Sequence, residues 1–375
     1  MMKNNDKLRI LIVNGGIMDF GGISVFIMNY LRRINKSLFD IELLVHGTEK
    51  GVFDDELTNM GIKIHRVTQR RKGLLKNYKE IKRVLKYGDF DIVHSNLDSM
   101  NSYLLRIAKK MKIHTRIAHS HNTKYLTRNP FKIILNIFLK KTISMYATDY
   151  AACSKEASIW LFGKGITSNK ITIINNAIEY ENFFFDYTSR DIMRSKLGLN
   201  ENFVIGHIGR FDYQKNHSFL IDIFKVIHEN NSSAKLLLIG DGHLHDQIIN
   251  KIKSMNLMDN IILLGYVSDP EKYLNAMDLF VFPSLFEGLG ISVVEAQVNG
   301  LECIVSDSVP KQTKISNRIS YLSLNDKLIW VEKIMLSISK GDYSRDDTVS
   351  QIYSIDNNVL ELERYYMESS RRNLS

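Results

Sequence analysis

The sequence predicts an α/β protein made of two doubly wound, Rossmann-like parallel-sheet domains. Three observations lead there. At 375 residues the chain has the length of about two domains of roughly 150 residues each. Its strand-like segments are unbroken apolar runs, the pattern of parallel strands covered on both faces. Helix-like segments separate these runs, and the alternation stops near residue 179 and restarts at residue 203, so two βαβ series follow one another. The expected organisation is a first domain over 1–180, a second over 181–350 and a terminal helix over 351–375.

The apolar run 8–14 ends at Gly15-Gly16 and is the first strand; Gly21-Gly22 then opens a helix over 24–34. Further strands are expected at 41–45, 63–67, 91–95, 116–119, 149–153 and 171–175. Helices are expected between them at 54–60, 74–86, 99–110, 131–147 and 155–162, the last capped by Ser154. In the second series strands are expected at 203–208, 235–240, 261–264, 279–283 and 302–306, with helices at 218–229, 245–255, 271–276 and 292–300. The polar stretch 179–202 reads as the connection. An amphipathic segment at 356–367 has no strand after it, and 311–319 receives no role.

Composition narrows the class. Hydrophobic residues at 44% and charged residues at 24% suit two folded domains with real cores. Cys153 and Cys303 are the only cysteines, which excludes a disulfide framework and a four-cysteine zinc site and fits a reducing, cytoplasmic setting. The opening residues 1–9 are polar and charged, so no signal peptide is expected. The apolar stretch 131–139 is about half of a spanning helix. The net charge of +9 is uneven: residues 1–180 carry 30 basic and 15 acidic side chains, and residues 181–375 carry 20 and 26. A basic half points to an anionic partner, nucleic acid or membrane. Residues 69–88 hold eight Lys or Arg and one Glu around an apolar stripe, and 130–141 sets an apolar helix between Lys132 and Lys140-Lys141. Such segments can lie on an anionic membrane, or their apolar faces can be core. No nucleic-acid motif accompanies them.

Several clusters can carry chemistry. After the strand at 279–283 comes Glu287-Gly288-Leu289-Gly290, then a helix bearing Glu295. The glycines admit a ligand to the backbone, and a helix start offers free N–H groups to an anion. The two glutamates can flank a diphosphate and accept sugar hydroxyl protons, or be solvated surface residues. Arg210 and Lys215 follow the strand at 203–208, at the carboxyl edge where such sheets bind ligands; two cations there can hold a diphosphate. Gly240-Asp241-Gly242 is a tight turn, and Gly265-Tyr266-Val267 ends a strand where backbone can meet a nucleobase. In the first series, Gly21-Gly22 is no GxGxxG. His119-Ser120-His121 ends a strand, and its imidazoles can contact a sugar, act as acid or base, join His114 on a metal, or be hydrogen-bonded loop residues. Asp89-Phe-Asp91 precedes a strand and reads as structural.

Taken together these clusters resemble the family 4 glycosyltransferases, which have the GT-B fold. The likeness runs in order through Ile-Ala-His-Ser-His-Asn (117–122), Gly-Arg-Phe-Asp-Tyr-Gln-Lys-Asn (209–216), Leu-Leu-Leu-Ile-Gly-Asp-Gly (236–242) and the Glu287/Glu295 pair. The His-Ser-His-Asn stretch and Cys303-Ile-Val-Ser-Asp-Ser-Val-Pro310 look most like the capsule and exopolysaccharide branch. The resemblance implies two domains facing a cleft, with the last helix returning to the first. It implies retaining transfer of a hexose-type sugar from a nucleotide diphosphate, with UDP the commonest carrier, to a lipid-linked saccharide. No metal or cofactor is implied. By position, His119, Arg210, Lys215 and Glu287 would be catalytic. Gly21, Gly22, Gly240, Tyr266, Val267, Gly288, Leu289, Gly290 and Glu295 would bind donor. The expected location is the cytoplasmic membrane face, held by the basic first domain and not by nucleic acid. Gly300-Leu301-Glu302 departs from the family's Gly-x-Pro. A sugar-nucleotide epimerase or hydrolase on the same fold, or an inactive membrane-surface module, are the alternatives.

Overall fold

Seven parallel strands build the sheet of the first unit. The computed structural model describes residues 7–125, 127, 129–163, 171–341, 344–345 and 348–374; residues 1–6 of the polar opening lie outside the described residues. The chain forms two units, 1–177 with 355–375, and 178–354.

In the first unit the elements run β1 (Leu8–Asn14), α1 (Gly22–Arg33), β2 (Phe39–His46), α2 (Asp54–Asn59), β3 (Lys63–Val67), α3 (Leu74–Tyr87), β4 (Ile92–Asn96), α4 (Asn101–Lys110), β5 (Thr115–Ser120), α5 (Pro130–Thr142), β6 (Asp149–Ala152), α6 (Lys155–Phe162) and β7 (Ile171–Ile173). The strand order is β3-β2-β1-β4-β5-β6-β7. The central strands are apolar on both faces because helices cover both. Ile10 and Ile12 look into one cluster with Phe26 and Tyr30, while Leu11 and Val13 look into another with Leu104 and Leu105. Local chemistry sets several helix starts. Pro130 opens α5 behind Asn129, whose side chain accepts from Lys132 N–H, and Ser154 Oγ accepts from Ala157 N–H.

The second unit contains α7 (Tyr180–Phe183), α8 (Tyr187–Leu197), β8 (Phe203–Ile208), α9 (His217–Asn230), β9 (Ala234–Ile239), α10 (His245–Ser254), β10 (Ile261–Leu263), α11 (Pro270–Ala276), β11 (Leu279–Phe282), α12 (Ile291–Val298), β12 (Glu302–Ser306), β13 (Ile319–Leu322) and α13 (Lys327–Lys340). Its six strands are ordered β10-β9-β8-β11-β12-β13, all parallel. In each sheet the order reverses beside the unit's first strand, the switch point at which doubly wound sheets take ligands. The last helix, α14 (Ile355–Leu374), belongs to the first unit, where Val359, Leu362 and Tyr366 join the core.

Three segments differ from the sequence expectation. The stretch 179–202 is not a bare connection: it forms α7 and α8. Buried Arg194 donates to Asp278 at 3.0 Å and to the Ala276 and Leu199 carbonyls, and Arg190 pairs with the same Asp278 at 2.5 Å. The inward face of α8 is thus largely guanidinium, which leaves little apolar periodicity to read. The helix expected over 131–147 stops at Thr142, whose Oγ1 donates to Leu139 O. Strand β13 and helix α13 had no counterpart in the sequence reading; β13 is half-buried along its length, so it lacks the unbroken buried run of its neighbours.

Candidate active site

In the second unit the loops after β8, β9 and β11 meet at the carboxyl edge of the sheet. Asp212 folds the first of them, accepting from Gln214 N–H at 2.9 Å and pairing with Arg210 Nε at 3.0 Å. That loop is laced to the one after β11 by Leu285 N–H to Gln214 O (2.8 Å), Gln214 Nε2 to Phe286 O (2.9 Å) and Asn216 Nδ2 to Pro283 O (3.2 Å). Gly240 has φ +135°, and a Cβ there would overlap the Gly209 carbonyl oxygen. Only glycine lets these two loops touch.

This lacing delivers Lys215 to Glu287. Lys215 Nζ lies 2.7 Å from Glu287 Oε1 and 4.5 Å from the Phe282 ring centroid. The side chains are 16% and 6% exposed, so the pair is largely withdrawn from water. Gly288, Leu289 and Gly290 follow, all buried. Gly290, with φ +87°, turns the chain into α12 with no side-chain cap on the helix, so first-turn N–H groups lack intrahelical partners. Glu295 sits one turn into α12, buried. Burial pushes its carboxyl up to about 7, Glu271 pushes it the same way, and Lys215 opposes both. Arg210 is half-exposed beside Asp212. Tyr266, half-exposed, and Val267 follow β10, near the turn where Gly240 N–H donates to Gly265 O at 2.8 Å.

The structure therefore brings Lys215, Glu287, Glu295 and the Gly288–Gly290 loop into one neighbourhood. Sequence reasoning missed the residues that hold it. Gln297 donates to Val293 O and Thr313 O while its Oε1 accepts from the N–H groups of Ile315 and Ser316. Thr313 Oγ1 donates to Leu289 O at 2.5 Å. This is the role of the segment 311–319: it braces the glycine loop. At the departure from the family pattern, Gly300 carries φ +76° and Glu302 begins β12, 3.7 Å from Lys333.

Gly21, Gly22 and His119 lie in the first unit. Gly21 precedes α1, but its N–H already donates to Asp19 Oδ1 at 2.9 Å; Gly22 has open space around it. His119 is fully buried within a cluster the sequence did not reveal. Its Nδ1 is 2.9 Å from His94 Nε2, and His94 Nδ1 is 2.7 Å from the Tyr366 hydroxyl on α14. The His121 ring stacks on His119 with centroids 4.0 Å apart. Burial holds all three imidazoles neutral, pushing His94 and His121 down to about 3 and His119 lower than usual as well. His114 precedes the amino end of β5 and His119 lies towards its carboxyl end. Among the described residues no group of three or more His, Cys, Asp or Glu is placed to hold a metal ion. Asp91 is structural, accepting from Arg9 N–H at 2.8 Å.

The two basic helices differ. Along α3, Ile81 and Leu85 are buried and the lysines face out. On α5 no residue is buried, and Phe131, Ile134 and Phe138 are 81%, 65% and 63% exposed. Among the described residues no helix is long and apolar enough to cross a membrane.

Two nucleotide-binding-type sheets with a lysine–glutamate pair at a glycine-loop helix start define a sugar-nucleotide-dependent class, and the comparisons agree. The family described as "Glycosyl transferases group 1" matches residues 189–320, and "Glycosyltransferase Family 4" matches 20–182. An Escherichia coli UDP-Gal:alpha-D-GlcNAc-diphosphoundecaprenol alpha-1,3-galactosyltransferase is 32% identical over 68% of this chain and 67% of that one. The Staphylococcus aureus capsular polysaccharide biosynthesis glycosyltransferase CapH is 26% identical over 94% and 97%. The crystal structure of Anabaena HepE, in complex with UDP and glucose, superimposes with a TM-score of 0.81 at 16% identity, covering 96% of this chain and 99% of that one. The chain belongs to the family 4 glycosyltransferases and has their GT-B fold.

Proposed function

We propose that the chain is a retaining, metal-independent hexosyltransferase. In this reading it moves a sugar from a nucleotide diphosphate, UDP for preference, to a lipid-linked saccharide during capsule or exopolysaccharide synthesis. The observation that carries it is the withdrawn Lys215–Glu287 pair beside the uncapped start of α12. A diphosphate seated there meets the Lys215 ammonium, the helix N–H groups and Arg210, which together offset the charge that grows on the leaving phosphate. That supply of positive charge is why the reading needs no metal ion. Glu287 accepts from donor-sugar hydroxyls and Glu295 from the ribose, while Tyr266-Val267 backbone meets the base. The sugar C1–phosphate oxygen bond breaks as the C1–acceptor oxygen bond forms on the same face, and the acceptor proton passes to the departing phosphate. From the first unit, Gly22 N–H faces the diphosphate and an imidazole at the end of β5 meets the sugar.

The relatives' names support the donor and acceptor classes: the E. coli protein is named for UDP-galactose and a diphosphoundecaprenol-linked sugar, and CapH for capsular polysaccharide. Attachment to the cytoplasmic membrane face fits α5, whose exposed Phe131, Ile134 and Phe138 lie between Lys132 and Lys140-Lys141. The test is a transfer assay over a panel of nucleotide sugars with a polyprenyl-diphosphate saccharide acceptor, products being analysed with and without acceptor. The expected result is acceptor-dependent product with retained anomeric configuration. Product without acceptor would indicate hydrolysis or epimerisation instead, and no turnover of any nucleotide sugar would refute the reading.

A further inference from the structure

We propose that His121, not His119, is the imidazole that meets the sugar, and that it does so as a hydrogen-bond acceptor through Nδ1. This rests on the transferase reading above. Both rings point to the α1 side of the sheet, and Phe26 sets its edge against each, at 5.2 Å from His119 and 5.0 Å from His121. Their environments differ. His119 has no exposed surface; its Nδ1 is taken by His94, its Nε2 is sealed from solvent without a partner, and the His121 ring lies over it. His121 is one residue beyond β5, at the carboxyl edge where ligands bind in such sheets. It is 8% exposed, and its Nδ1, which has no partner among the described residues, is not sealed from solvent.

The surroundings of His121 also fix its tautomer. Asn96 Nδ2 donates to Val13 O at 3.3 Å, which leaves Asn96 Oδ1 facing His121 Nε2 at 2.8 Å. A carboxamide oxygen only accepts, so His121 carries its proton on Nε2 and presents a lone pair at Nδ1. The backbone is held as firmly: His121 N–H donates to Asp98 Oδ1 at 2.8 Å, Asn122 Nδ2 binds Asp98 Oδ2 at 2.6 Å, and Cys153 Sγ lies 3.6 Å from His121 O. A neutral ring held to one tautomer orients a hydroxyl. With its pKa pushed down to about 3 by burial, it does not take the hydroxyl's proton at neutral pH, so it positions rather than acts as a general base. His94, His119 and Tyr366 form the buried support beneath it.

The test uses the full chain and whichever UDP-, GDP- or dTDP-sugar most stabilises the wild type in thermal unfolding. His121→Phe removes the acceptor and is expected to lower kcat by about 100-fold, the size expected for one lost oriented hydrogen bond, with that donor still stabilising the protein. His121→Gln, which keeps an acceptor, is expected to recover part of the loss. In protein with 15N-labelled histidine, adding the donor is expected to shift the His121 Nδ1 resonance and leave both His119 nitrogens in place. Wild-type kcat in folded His121→Phe, or a donor-induced shift confined to His119, would overturn the assignment. If no nucleotide sugar stabilises the wild type, it is the transferase reading that fails.

Discussion

The two units place their polar groups in different ways. In the second, Lys215 and Glu287 come from two loops at one sheet edge, and their neighbours are glycines and a helix start. In the first, His119 and His121 are surrounded by side chains from three strands and from α14, whose Tyr366 is 272 residues from its partner His94. The first kind of site is built mainly from backbone and tolerates few residue types at its glycines. The second is a network of side chains, in which each member fixes the next.

The largest effects should come from breaking the charged pair. Lys215→Ala leaves Glu287 buried without its cation, which should cost about 3 kcal/mol of stability and lower kcat/KM by about 100-fold or more. Lys215→Met combined with Glu287→Gln should restore most of the melting temperature and none of the activity. Recovery of both together would mean the pair is only structural.

A smaller effect should come from the side-chain network. Tyr366→Phe removes the hydroxyl that His94 binds in a fully buried place, with an expected loss of about 1–2 kcal/mol by urea unfolding. A loss near zero would show that α14 is docked by apolar contact alone.

The pH dependence of the second unit should be weaker still but has a definite sign. Burial raises the Glu295 carboxyl to about 7, above its unfolded value of about 4.3. Between these values the folded state binds more protons than the unfolded one, so this group makes stability fall as pH rises from about 4.3 to about 7 and adds no further slope above. Glu295→Gln should flatten that part of the profile. If Glu295 binds ribose as a carboxylate, donor affinity of the wild type should rise through pH 7, and a flat titration calorimetry series from pH 6 to pH 8 would contradict that.

The same contrast governs what could be read from the chain. Strands such as β1 and β9 were legible because both faces are covered and the runs are unbroken. The loop at Glu287–Gly290 was legible because glycine spacing and a helix start are local. Helix α8 was not, since its inward face is Arg190 and Arg194 held by Asp278, about 85 residues away. Nor could periodicity separate α3 from α5: both repeat apolar residues at helical spacing, but one buries Ile81 and Leu85 and the other leaves Phe131 and Phe138 in the open. Attachment through α5 should therefore depend on those side chains as well as on charge. Phe131→Ser with Phe138→Ser should weaken binding to anionic vesicles, and added salt should weaken the remainder. The partners of His119 were hidden for the same reason as those of α8, because His94 and Tyr366 meet it only after the sheet has formed.

The central claim is that Lys215, Glu287 and the start of α12 hold the diphosphate of a nucleotide sugar. Calorimetric titration of UDP into the wild type and into Lys215→Ala tests it most directly. The account expects measurable binding by the wild type and at least about 10-fold weaker binding by the variant, a difference of about 1.4 kcal/mol. Equal affinity in the two proteins would contradict it.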